Sequence, residues 1–174
     1  MNSKLLRTCF VAIALVLVLA FAQSFVGDAT ARSNRENKLQ GTWRVQITPT
    51  NCQTGAPQPS FPTPLSFHRG GTLTEVMGSP AFSPGQRSTG LGVWSHTRGN
   101  TYKGVWDGLM LFDSPAPGVL KRGVQRITQE YQVYGDQLTV TSAGQFLDMS
   151  GNVYASTCAS GTGTRFEDAA EDED

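Results

Sequence analysis

The chain has 174 residues, of which 39% are hydrophobic and 16% charged, with 14 basic side chains against 14 acidic ones. That length suits a single domain. The formal net charge is zero and the basic residues are scattered, not interleaved with aromatics, so composition offers no footprint for a nucleic acid.

The N-terminus comes first. Lys4 and Arg7 precede an uninterrupted apolar run of 13 residues, Phe10 to Ala22. The run is too short to cross a bilayer comfortably and is the size of the apolar region of a secretory signal. Residues 1–22 therefore read as a signal peptide ending at Ala20-Phe21-Ala22. Ala29-Thr30-Ala31 is an alternative cleavage pattern nine residues on. Cys9 lies before the apolar run, which is not where a lipoprotein cysteine sits. The expected product is exported to the periplasm or the cell exterior, with no membrane span after cleavage.

Export bears on the two cysteines that remain, Cys52 and Cys158. An even count in an oxidising compartment predicts a disulfide. Their spacing does not resemble a metal site, since no C-x-x-C occurs and His68 and His96 lie far from both.

Residues 39–166 are punctuated by Gly70-Gly71, Gly99-Asn100, Pro117-Gly118, Gly135-Asp136 and Gly151-Asn152. Between these turns run segments rich in Val, Thr, Tyr, Trp, Phe and Leu with period-2 stretches, beginning with TWRVQIT at Thr42 and ending with NVYASTCASGTGTRF at Phe166. Eight strands are predicted, and no segment after the signal carries a helical period. The last four strands are long, which suits an all-β, single eight-stranded antiparallel up-and-down barrel better than a sandwich of short strands.

In such a barrel the first and last strands lie side by side. A register that sets Trp43 opposite Arg165 brings Cys52 within two positions of Cys158. The discrepancy is expected to be absorbed by a β-bulge at Gly161 or Gly163. The G-x-W at Gly41-Thr42-Trp43, with Arg165 near the end of the last strand, resembles the calycin superfamily of lipocalin-like barrels. The resemblance implies that Trp43 plugs one end of the barrel and that Arg165 packs across it, both as structural residues. Departures are visible: no lipocalin helix precedes the final strand, and the second and third lipocalin motifs are missing.

The tail, residues 167–174, has six acidic residues in eight and is expected to be solvated and disordered. Without it, residues 32–166 carry twelve basic and seven acidic side chains. No G-x-S-x-G, H-E-x-x-H or phosphate-binding glycine loop occurs, and no cofactor or metal is expected.

The richest segment is Leu91 to Phe112. Trp94 and His96 share one strand face, and Tyr102, Trp106, Met110 and Phe112 share another around Gly104 and Gly108. These side chains either line a pocket for a planar or apolar ligand or fill an ordinary barrel core. The connection Gly78 to Gly90 contains Arg87 and is either a lid over the barrel mouth or a plain surface loop.

The leading expectation is an exported barrel that binds a small apolar or aromatic molecule through Trp94, Tyr102 and Trp106, oriented by Arg87 or His96. One alternative is a packed barrel that contacts other proteins. The other is a calycin-type isomerase or cyclase using a polar group such as Glu75 or His96.

Overall fold

The structure is a computed structural model that describes residues 38–114 and 120–166. The expected signal peptide, the turn at Pro117-Gly118 and the acidic tail lie outside them. Eight strands follow in order: β1 (Gly41–Thr50), β2 (Phe61–Phe67), β3 (Thr72–Glu75), β4 (Gly90–Arg98), β5 (Thr101–Met110), β6 (Gly123–Tyr134), β7 (Gln137–Asp148) and β8 (Val153–Arg165). Each pairs antiparallel with the next, and β8 pairs back onto β1, so the sheet closes into an up-and-down barrel.

Period-2 burial explains the strands. Along β6, Gly123, Gln125, Ile127, Gln129, Tyr131 and Val133 point inward while the alternate residues face out. Its hairpin with β7 runs through twelve consecutive pairs, Gly123↔Asp148 to Tyr134↔Gln137. Gly135, at φ +60°, opens the two-residue turn, a conformation that glycine reaches without the clash a Cβ would bring.

The weakest part of the ladder has a chemical cause. β3 pairs with β2 only over Leu65 to Phe67. Beyond them the Pro64 carbonyl accepts one more bond, from Val76 N–H at 3.0 Å. A proline has no N–H to return, so Pro64 and Pro62 end the ladder and release the chain into the loop of residues 76–89.

The β1–β8 seam corrects one expectation. Register is unbroken from Trp43↔Arg165 to Thr50↔Cys158, with no bulge at Gly161 or Gly163. Cys52 lies beyond the end of β1, in a turn where Asn51 Oδ1 accepts the Gln53 and Thr54 N–H groups, each at 2.9 Å. That turn carries Cys52 to Cys158 with Cα atoms 5.2 Å apart, and the two form a disulfide. The two-position offset is thus taken up outside the ladder.

One end of the barrel is solid. Trp43, Leu65, Phe67, Leu73, Tyr102, Tyr131 and Leu138 are almost completely buried there. Phe67 meets the Tyr131 ring edge-on at 4.9 Å between centroids, a favoured aromatic geometry. Trp43 Nε1–H donates to the Leu39 carbonyl at 2.9 Å. The Arg165 guanidinium lies 4.2 Å above the Trp43 ring. Its Nη2 donates to Lys38 O at 2.7 Å, its Nη1 to Gln40 O, and its Nε to Asp136 Oδ1 at 2.9 Å. Arg165 therefore ties the entering chain and the β6–β7 turn across the tryptophan.

A second correction concerns Phe112. It lies past the end of β5 and is 42% exposed, so it does not share the inward face of Tyr102 and Trp106. The outer face of β4 and β5 is unusually apolar: Leu91, Val93, Val105 and Leu109 all point to solvent.

A cavity at the open end

Opposite the Trp43 plug the barrel is hollow, with a cavity of about 310 Å³ that is partly open to solvent. Its walls come from β1 (Ile47, Pro49), β2 (Phe61, Thr63), β5 (Trp106), β6 (Gln125, Ile127, Gln129), β7 (Ser142, Phe146) and β8 (Thr157, Ala159). The loop freed by the prolines of β2 adds Met77, Ser79, Ala81, Phe82 and Arg87, and Gln58, Glu75, Leu120 and Cys158 complete the lining. That loop is docked, not free. Leu111 N–H donates to Gln86 O at 2.8 Å and Ser88 N–H to Leu109 O at 3.0 Å, while Arg87 bridges to Met110.

This docking drives Arg87 into the barrel. Its Nη1 donates to Glu75 Oε2 at 2.8 Å, and both side chains are buried. Gly90 N–H donates to the same oxygen at 3.2 Å. The guanidinium lies 4.9 Å from the Trp106 ring centroid and 5.7 Å from that of Phe82, within cation–π range. Gly108 makes room for it: a Cβ there would stand 2.5 Å from Nη2. Nε and Nη2 have no hydrogen-bond partner among the described residues. Burial pushes the Glu75 carboxyl above the usual carboxylate range, and the charge and hydrogen bond of Arg87 offset this only in part.

A neutral network lies on the next layer. Gln129 Oε1 accepts from Trp106 Nε1–H at 2.9 Å and from the Tyr131 hydroxyl at 2.6 Å, while its Nε2 donates to Ser142 Oγ at 2.7 Å. Burial, and secondarily the Glu75 charge, raises the Tyr131 hydroxyl well above its ordinary range, so it stays protonated and donating. Gln125 differs. It is 9% exposed and lines the cavity, yet its carboxamide bonds to none of the described residues.

The residues singled out from sequence divide between the two ends. Trp106 and Arg87 line the cavity together, and Glu75 joins them. Trp94 and Tyr102 belong to the solid end. Trp94 donates through Nε1 to the Thr72 and His68 carbonyls at 3.0 and 3.2 Å, and its ring meets that of Tyr102 at 5.9 Å. His96 is half-buried beside Tyr102, where its Nε2 bonds Gly99 O at 2.9 Å, and it is not among the cavity's lining residues. His68 is exposed against Thr74 Oγ1. The loop 78–90 contributes Ser79, Ala81, Phe82 and Arg87 to the cavity wall, with Arg87 as its buried anchor.

Sequence reasoning missed Gln125, Gln129 and Phe82. The two glutamines carry a readable signal, since they alternate with Ile127 and Tyr131 on the apolar face of β6. Phe82 carries none, because its place depends on how the loop docks.

Comparison of the chain with protein-family models, with curated proteins and with solved structures returns no match.

Proposed function

We propose that this protein is an exported, calycin-like barrel that takes a small, largely apolar molecule into the cavity at its open end. One observation carries the reading: a cavity of about 310 Å³ persists inside a barrel whose other half is densely packed, and aromatic and aliphatic side chains form most of its wall. Natural cores close up around voids, because an apolar void forfeits the contacts that stabilise its lining. A hollow held open by a hydrogen-bonded network and a docked loop is therefore a feature to be used. Burial of the ligand drives binding at about 25 cal/mol per Å² of apolar surface. The Cys52–Cys158 link accords with an exported protein.

The isomerase or cyclase reading has one observation in its favour, the buried carboxyl of Glu75 on the cavity wall. Arg87 and Gly90 both bond its Oε2, which occupies that oxygen in a structural pair and favours binding over proton transfer.

Equilibrium dialysis of the purified protein against naphthalene tests the binding reading. One saturable site, with a change in tryptophan fluorescence from Trp106, is the expected result. Absence of any saturable uptake overturns it.

A further inference from the structure

We infer that the cavity selects an uncharged ligand with an adjacent hydrogen-bond donor and acceptor, of lactam or carboxamide type, and that the Gln125 carboxamide reads this edge. The inference rests on the proposed binding function and names the ligand class that the site takes.

Three observations carry it. First, the cavity's charges are already balanced. Glu75 and Arg87 are the charged residues among its described walls, and they pair with each other at 2.8 Å. A ligand carboxylate or ammonium placed beside them would be a third, uncompensated charge in a buried site, which is costly. Second, the Gln129 amide is already engaged at both its oxygen and its nitrogen. Its oxygen takes the Trp106 and Tyr131 donors and its nitrogen serves Ser142.

Third, Gln125 has both halves of its amide unspent. It stands on the inward face of β6, between Gly108 of β5 and Phe146 of β7 in register. One neighbour has no side chain and the other is apolar, and the Arg87 guanidinium that fills the space over Gly108 makes no hydrogen bond to Gln125. A carboxamide presents one acceptor and a donor pair side by side. Its complement is another group of the same pattern, and a ligand that covers the amide without pairing it loses affinity. The surrounding Trp106, Phe82 and Phe146 rings suit a flat ligand body.

The test uses four probes of similar size: naphthalene, 2-quinolone, 1-methyl-2-quinolone and 2-naphthoate. Equilibrium dialysis measures each against the wild-type protein and Gln125→Met. In the wild type, N-methylation of 2-quinolone removes the donor and is expected to weaken binding about tenfold, the worth of one neutral hydrogen bond. Gln125→Met is expected to weaken 2-quinolone by about tenfold or more relative to naphthalene, the ratio of the two affinities being the readout. The methylated probe needs no variant, so that comparison stands even where the substitution impairs folding.

Equal binding of 2-quinolone and its N-methyl derivative overturns the inference, as does 2-quinolone binding that ignores the Gln125→Met change. Tighter binding of 2-naphthoate than of 2-quinolone also overturns it. Each of these leaves the binding function intact wherever naphthalene still binds. If no probe binds the wild-type protein, the binding function itself fails and takes the inference with it.

Discussion

Glu75 is held between two opposing effects, removal from water and the charge of Arg87, and removal from water prevails. A carboxyl whose folded pKa is raised binds its proton more tightly in the folded state than in the unfolded chain. Its contribution to stability is present in full below the ordinary value of 4.5 and is lost as pH rises through the raised value. Glu75→Gln has no such titration. The stability of wild type relative to Glu75→Gln should therefore fall as pH rises above 4.5, as measured by thermal denaturation at a series of pH values; a rising difference would show that Arg87 outweighs burial. Arg87→Met should cost about 3 kcal/mol or more in urea denaturation at neutral pH, because it leaves a buried carboxylate alone. The double variant Glu75→Leu/Arg87→Met should recover much of that loss, since removing both charges removes the penalty as well.

Among the elements, the seam between β1 and β8 carries the disulfide of the described residues. Its disulfide joins positions 106 residues apart. In the chain-entropy account a loop of that size stabilises the folded state by about 4–5 kcal/mol. Cys52→Ser should lower unfolding stability by that order, and reductant should destabilise the wild type without affecting the variant. Both follow from equilibrium denaturation with and without reductant. The elements were also the most readable scale in the sequence. Alternation and turn glycines locate all eight strands, because both act through local backbone geometry. Strand ends were less readable. Pro62 and Pro64 lie inside β2 and Cys52 lies outside β1, and in each case tertiary pairing settles where the ladder stops.

The whole molecule divides into a solid half and a hollow half, and this division was not legible. Trp94, Tyr102 and Trp106 look alike along the chain, yet two of them pack the plug and one lines the cavity. The difference lies in barrel height, which depends on the register of every strand at once. Arg87 was legible as a loop residue but not as a buried ion, since its partner Glu75 is twelve positions away across the loop. If the hollow half exists for a ligand, filling it should separate stability from binding. Ala159 faces the cavity from β8 with a small side chain. Ala159→Leu adds three carbons to space that the barrel walls already largely surround, worth about 1–2 kcal/mol where no neighbour is forced aside. Thermal denaturation should show a melting temperature higher by roughly 3–8 °C, while naphthalene affinity should fall about tenfold or more. A stabilised variant that still binds naphthalene normally would place the ligand elsewhere, with the outer apolar face of β4 and β5 as the next surface to test. Loss of both stability and binding would mean that the space is needed by the fold, because overfilling a packed core strains it. Only the opposed pair of changes fits a barrel that gives up part of its packing in order to hold a guest.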